Sequence, residues 1–348
     1  MNQASDQLPK APRKTLRIKF CDFPGPANID AIQRILCQYY VLQIEDESPD
    51  FVFYSVFGNE HLRHRDAVRI FFTGENVHPD FNLCDYAFGF DRMSFADRYY
   101  RCPNFMIYEE FQSLIRQPEN TKKDQRQKFC NFIYSNSAAH PFRTELFHAI
   151  DQYKSVDSVG PYLNNTGIFR GSPSLGAEAT EDKLAFQSEC KFSIAVENSS
   201  SPGYTTEKLV HALIAGTIPI YWGDPDVETD FNSARIINCH RFSTVDEVVH
   251  RIREIDNDDT LYRSIIAQPI FPNGEIPQGL RLDALGRQLR QILDSPVAKA
   301  RRRNMHVWGE IYESRRQMET QSHTLRSVFR RKIHSAKGRL LGSLKKTP

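Results

Sequence analysis

The sequence predicts an α/β protein: two domains facing a cleft, followed by a basic helical tail. Three observations carry that expectation. The chain has 348 residues, more than one ordinary core holds, since domains run to roughly 100–200 residues. Strand-like runs alternate with helical patterns, which is how parallel sheets read in sequence. A polar stretch at 117–128 (QPENTKKDQRQK) separates two such sets. The expected domains are 14–125 and 126–297, with the tail at 298–348.

The elements follow in order. Residues 16–20 (LRIKF) begin the strands, and 31–39 (AIQRILCQY) carry apolar residues at helical spacing. Three apolar, aromatic-rich runs come next, at 51–56, 68–72 and 86–90, bounded by Gly, Pro, Asn or Asp. After the polar stretch, strand 129–134 (FCNFIY) leads to a helix at 142–153. Strand 191–196 (KFSIAV), helix 205–215, strand 217–222 (TIPIYW), strand 235–238 and helix 244–255 complete the second set. Asp294-Ser295-Pro296 breaks the pattern before the tail. Both sets read as Rossmann-like, and ligands of such sheets bind at the carboxyl ends of strands.

Composition narrows the class. Seven cysteines form no C-x-x-C pair, so neither a disulfide framework nor a zinc site is expected, and buried free thiols are. The first twenty residues lack an apolar stretch after their charges, and no window approaches the roughly 18 apolar residues of a spanning helix. A cytoplasmic location is therefore expected. The net charge of +2 hides an asymmetry: residues 299–348 carry 14 Lys/Arg and three Glu, the rest 31 basic and 40 acidic residues.

The stretch richest in chemistry is 191–231, KFSIAVENSSSPGYTTEKLVHALIAGTIPIYWGDPDVETDF. It reads as a buried strand ending at Glu197-Asn198, then a small-residue loop that lets backbone approach a ligand. Next come a helix capped by Thr205 or Thr206 and stopped at Gly216, and another strand. Glu207 and Lys208 lie in the helix's first turn, where free N–H groups and the dipole attract phosphate. Lys208 suits a diphosphate and Glu207 suits ribose hydroxyls. A dipole-complementing acid beside a solvated lysine is the plainer reading, and the residues alone leave both open.

This segment resembles the donor-binding motif of the α-1,3/4-fucosyltransferase family, F-x-[apolar]-x-x-E-N, then G-Y-x-T-E-K, then I-P-[apolar]-Y-[W or G]-G. It is carried by Phe192, Glu197, Asn198, Gly203, Tyr204, Thr206, Glu207, Lys208, Pro219, Tyr221, Trp222 and Gly223. Thr73-Gly74-Glu75-Asn76, followed by Asp85-Tyr86-Ala87-Phe88-Gly89-Phe90-Asp91, resembles the family's acceptor-side pattern. Phe132-Ile133-Tyr134-Ser135-Asn136 with Arg143 is a weaker third match. The resemblance covers about residues 68–240, is loose before 68 and is absent after about 295.

What the resemblance implies is a GT-B fold and an inverting transfer of L-fucose from GDP-fucose to an oligosaccharide hydroxyl, O3 of an N-acetyllactosamine-type acceptor. Glu75 would be the catalytic base. Arg143 and Lys208 would hold the diphosphate, Asn198 and Tyr204 the nucleotide or fucose, and Glu207 the ribose. Asn76, Ser135, Asn136, Glu197 and Thr206 would support them. Such a reaction needs a base and charge neutralisation for the leaving diphosphate, and no covalent nucleophile. Another nucleotide-sugar transferase on the same fold, or a non-catalytic glycan- or nucleotide-binding protein, would share part of this motif.

No cofactor is expected. Asp224-Pro225-Asp226 and Asp256-Asn257-Asp258 match the Asp-x-Asp pairs of metal-dependent transferases, yet paired Asp in loops is ordinary turn chemistry and hard cations want more oxygens. A metal is therefore not expected to be essential. In the tail, eight basic residues and no acid follow from Arg326 on, with Leu325, Val328, Phe329, Ile333, Ala336, Leu340 and Leu344 at helical spacing. That pattern suits an anionic membrane surface, on the inner face of the cytoplasmic membrane, better than disorder with no partner or nucleic acid.

Overall fold

The computed structural model describes residues 13–116, 126–168 and 177–320. Its strands form two sheets. The first holds β1 (Thr15–Cys21), β2 (Val41–Ile44), β3 (Phe51–Tyr54), β4 (Val68–Phe72), β5 (Tyr86–Gly89) and β6 (Tyr99–Arg101), in the order β2-β1-β3-β4-β5-β6. The second holds β7 (Lys128–Phe132), β8 (Val156–Ser158), β9 (Cys190–Val196), β10 (Ile218–Trp222) and β11 (Ile237–Asn238), in the order β11-β10-β9-β7-β8. Every pairing among the described residues is parallel. The strand order reverses between β1 and β3 in the first sheet and between β7 and β9 in the second. Clefts of doubly wound sheets form at such points.

Strands β3, β4 and β5 are buried at every residue, because helices and returning chain cover both faces. The helices are α1 (Pro26–Leu36), α2 (Glu109–Arg116), α3 (Phe142–Tyr153), α4 (Ala177–Ser188), α5 (Glu207–Ile214), α6 (Val245–Asn257), α7 (Asp259–Ile266), α8 (Leu282–Leu293), α9 (Val297–Ala300) and α10 over 308–320. Helix α1 starts five residues before the expected 31, since Pro26 opens it with a preset φ. The cysteines are free as expected, and six are buried, but Cys37 is exposed just past α1. Among the described residues no helix is long and apolar enough to cross a membrane.

Two apolar clusters organise the molecule. One lies within the second sheet and its helices α3 and α6. The other runs from the first sheet across to α5, joining Phe72, Phe105 and Phe111 to Leu209, Val210 and Leu213. Phe231 and Phe271 bridge it, with ring centroids 5.6 Å from Phe105 and 6.2 Å from Phe111 respectively.

The chain then returns to the first sheet. On α8, Leu285 and Leu289 line a cavity with Ile32, Ile35, Phe53 and Phe72. Tyr40 Oη donates to Asp294 Oδ1 at 2.8 Å. On the other face, Arg69 is fully buried and pairs with Glu313 of α10 at 2.6 Å. The backbone N–H groups of Arg302 and Arg303 donate to Asp85 Oδ1 at 2.7 and 2.9 Å. Residues 282–320, which the expected boundaries gave to the second domain and the tail, thus pack on the first sheet. The basic pattern from Leu325 to Leu344 lies outside the described residues.

Candidate active site

The reversal point of the second sheet places the expected donor residues together. Directly after strand β9 comes Glu197, whose side chain is fully buried. Its Oε1 accepts the Thr206 backbone N–H at 2.7 Å, and both carboxylate oxygens meet the Thr206 hydroxyl. Thr206 is the N-cap of α5, but its hydroxyl turns to Glu197 instead of bonding the helix. A strand end is thereby tied to a helix start. Lys208 Nζ lies 3.0 Å from Glu197 Oε2 and 3.3 Å from Glu207 Oε1. Burial alone would lower the Lys208 pKa, but Glu197 and then Glu207 outweigh it and hold it up. Glu207 is held down: burial would raise it, but Lys208 and then Lys183 of α4 lower it further. Lys208 is therefore a charged lysine already engaged by two carboxylates, rather than a solvated one.

Arg143, on α3, is 1% exposed. Its guanidinium lies over the Tyr134 ring at 4.2 Å. Nη2 donates to Val196 O at 2.9 Å and to Asn198 Oδ1 at 2.8 Å, and Nη1 to Asn136 O at 3.3 Å. Arg143 thus orients Asn198 from behind. Ser135 and Asn136 are exposed just past β7, and the Asn136 side chain closes a local turn by accepting from Ala138 N at 2.8 Å.

The base candidate comes from the first sheet. Glu75 is half-buried in the loop after β4, and its N–H donates to the Thr73 hydroxyl at 3.1 Å. Among the described residues none hydrogen-bonds its carboxylate. The loop touches the donor side twice: Asn76 Nδ2 donates to Ser199 Oγ at 2.8 Å, and Tyr204 Oη to Gly74 O at 3.3 Å. Tyr204 is 2% exposed and its ring stands edge-on to Phe90, centroids 5.1 Å apart. It therefore sits at the seam between the two sheets. Gly203 carries a φ of 88° there, and a Cβ on it would lie 2.3 Å from Phe90 O, so only glycine fits.

Three of the four aspartates of the Asp-x-Asp pairs, Asp224, Asp256 and Asp258, are engaged by protein groups. Asp224 is fully buried and takes both terminal nitrogens of Arg92, at 3.0 and 2.7 Å, together with the Gly203 N–H at 2.7 Å. Asp230 joins Arg92 to Arg101. These four residues tie the two sheets together. Asp256 is held by Lys154, Lys191 and Tyr153, and Asp258 caps α7. Among the described residues the group with metal-ligand spacing is Cys21, Asp22 and Glu60, and its Asp22 already accepts from Glu60 N, His61 N and His61 Nδ1.

Sequence reasoning missed Ser199, Arg92, Lys183 and His211. Ser199 was visible only as a small loop residue. Arg92 carried no signal, because its partner is 132 positions away. His211 faces Glu207 and Lys208 one turn along α5; burial first, then Lys183, lowers its pKa.

This geometry matches known proteins. Residues 18–108 match the α-(1,3)-fucosyltransferase FucT N-terminal domain, and residues 123–267 match the glycosyltransferase family 10 (fucosyltransferase) C-terminal domain. The chain belongs to the α-1,3/4-fucosyltransferase family. An α-(1,3)-fucosyltransferase of Helicobacter pylori is 30% identical over 270 residues, which is 67% of this chain and 54% of that protein. A GDP-fucose protein O-fucosyltransferase 3 of Rattus norvegicus is 32% identical over 174 residues, 48% of this chain and 35% of that one. The family member thus spans about half the length of the first relative and a third of the second. A crystal structure of an α1,3-fucosyltransferase superposes with a TM-score of 0.71 at 26% identity, covering 84% of this chain and 94% of that one. The same comparison with an α1,3-fucosyltransferase holding GDP-fucose gives 0.68 at 27% identity, with the same coverage. The two-sheet architecture is accordingly that of the GT-B fucosyltransferases.

Proposed function

We propose that this chain transfers L-fucose from GDP-β-L-fucose to O3 of N-acetylglucosamine in an N-acetyllactosamine-type glycan, with inversion to an α-1,3 linkage. The observation that carries the reading is the meeting of the Glu75 loop with the 199–204 loop. There the loop that carries Glu75, whose carboxylate has no hydrogen-bonding partner among the described residues, touches the loop that leads into α5. The family membership and the likeness to a structure with GDP-fucose support the donor; the H. pylori relative's α-1,3 activity supports the linkage.

In this mechanism Glu75 accepts the proton of the acceptor hydroxyl as its oxygen attacks the anomeric carbon. The bond from that carbon to the β-phosphate oxygen breaks on the opposite face, which inverts the centre, and GDP leaves with the electron pair. Lys208 and the α5 N-terminus stabilise the charge on the diphosphate. Arg143 contributes through Asn198, which it orients, and Glu207 takes ribose hydroxyls. No metal is assigned a role, since Lys208 and the α5 N-terminus serve the diphosphate and Asp224, Asp256 and Asp258 are engaged by protein groups. The acceptor lies over the carboxyl ends of the first sheet, where Phe57 is 51% exposed after β3.

The tail docks on an anionic membrane surface from the cytoplasmic side. Supporting this, Val307, Trp308 and Met318 at and along α10 are 67%, 72% and 65% exposed, and the basic stretch follows directly. Sedimentation with anionic but not neutral vesicles is expected.

The deciding experiment is GDP release from GDP-fucose in EDTA, with and without N-acetyllactosamine, for wild type and Glu75→Ala. Release that needs acceptor, survives EDTA and falls by about 10²–10⁴-fold in the variant supports the proposal. Saturable GDP binding without release, lost on Lys208→Ala, moves the assignment to another sugar or acceptor. Absence of GDP binding overturns it.

A further inference from the structure

We infer that Ser199 is a positioning residue that sets the Glu75 carboxylate by holding Asn76 from the donor side of the cleft. The inference rests on Glu75 being the base.

The loop around Glu75 leaves its placement to its two neighbours. Its own N–H is spent on the Thr73 hydroxyl and its C=O on the Val77 N–H, at 3.1 and 2.8 Å. Gly74 before it is pressed on Asn104, whose Nδ2 lies 2.5 Å from where a Cβ would stand, and its C=O accepts from Tyr204. Among the described residues Asn76 after it has one side-chain partner, Ser199 at 2.8 Å, while its Oδ1 is buried without any. Which way an amide faces is an assignment, but in either orientation Ser199 is the group in reach. Without Ser199, Asn76 would have no partner among the described residues on either amide atom, a costly state for a buried group.

Ser199 can act as a fixed post because its own loop is pinned. Asn198 beside it is held by Arg143 at 2.8 Å, and Ser200 Oγ donates to Gly223 O at 2.6 Å. Gly203 N is bound to Asp224 at 2.7 Å. The same loop carries Asn198 and Tyr204, so donor-holding groups and the base's anchor share one short segment. Misplacing a base by a fraction of an ångström lowers the chemical step and leaves ground-state binding largely intact.

The test compares wild type, Ser199→Ala, Ser199→Thr, Asn76→Ala and the double variant Ser199→Ala/Asn76→Ala. GDP affinity is measured calorimetrically and turnover with GDP-fucose and N-acetyllactosamine. Ser199→Ala is expected to keep GDP affinity within about twofold and lower kcat by about 10–100-fold. Ser199→Thr, which retains the hydroxyl, is expected to recover most of that loss, and the double variant to be no slower than the worse single one. Wild-type kcat in Ser199→Ala, a parallel loss of GDP affinity, or no recovery in Ser199→Thr would overturn it. Should wild type turn over nothing, the fucosyltransferase reading falls instead. The cycle read as denaturant midpoints still decides the contact: additive shifts refute it and non-additive ones uphold it.

Discussion

Arg92 and Asp224 form a two-point ion pair across the boundary between the sheets, Nη1 to Oδ1 at 3.0 Å and Nη2 to Oδ2 at 2.7 Å. The first sheet supplies the arginine and the loop after β10 the aspartate. The same aspartate holds Gly203 N–H, so the tie between the domains is also the floor of the donor loop.

Asp224→Ala should destabilise the protein by about 1–3 kcal/mol, less than the roughly 3–5 kcal/mol of a fully stranded buried charge, because Asp230 still holds Arg92. Urea unfolding measures it. Added Mg²⁺ or Mn²⁺ should restore none of the loss, because the carboxylate serves arginine and backbone. Recovery with metal would reopen the Asp-x-Asp reading.

Lys208→Met should weaken GDP binding by about 10–100-fold, the worth of one or two charge-assisted hydrogen bonds. It also leaves Glu197 and Glu207 without their shared cation. Lys208→Arg should recover binding only in part, since a planar fork does not occupy the space of a compact ammonium. Calorimetric titration with GDP compares the three proteins.

Gly74→Ala should cost about 1–3 kcal/mol through overpacking, because the new Cβ meets Asn104 Nδ2 at 2.5 Å. The kcat should fall further than that loss of folded protein explains, as the shift is delivered to the next residue, Glu75. Gly74→Ala with Asn104→Ala, which removes the obstacle, should regain activity.

His211 should make stability fall as the solution turns acidic. Its pKa in the fold is well below the usual 6.5, through burial first and Lys183 second. Below pH 6.5 the unfolded chain takes up a proton that the folded chain refuses, so unfolding becomes easier at about 1.4 kcal/mol per pH unit. The window opens just below 6.5 and closes at the lowered folded-state value. Glu207, Lys208 and Lys183 face the ring, and Glu207 is itself held low, so it stays charged through the upper part of that window. Denaturation of wild type and His211→Gln from pH 7 to 5 should show a shallower slope in the variant.

Much of the fold was legible because parallel strands are short apolar runs with clear bounds: 68–72 and 142–153 coincide with β4 and α3. Strands β6 and β8, three residues each, carry too few positions for a pattern. Helix α2 lies between the run at 86–90 and the polar stretch, where no element was expected, since charged residues at its start mask its apolar face. In the site, Glu197 and Lys208 stood out by their motif, but that they pair with each other could not be read off, because strand end and helix start meet only in space. Asp224 was legible in part: it closes the turn expected of a Gly-Asp-Pro-Asp run, accepting Asp226 N–H at 2.9 Å, but only the arginine from the other sheet shows what else occupies it. The sequence placed 298 onward in a tail by charge, whereas Arg303, Asp85, Arg69 and Glu313 bury their charges together on the first sheet.

The docking of residues 282–320 on the first sheet bears on how the protein is made. The second sheet is continuous in the chain from β7 to β11 and can close as soon as those residues emerge. The first sheet emerges earlier but must wait, with Leu16, Ile32 and Phe53 lacking the α8 leucines and Arg69 lacking its carboxylate, until some two hundred further residues have been synthesised. During that interval it is the half of the molecule that would call on a chaperone, and a ribosome stalled between β11 and α8 would leave the second sheet complete beside an unfinished first one.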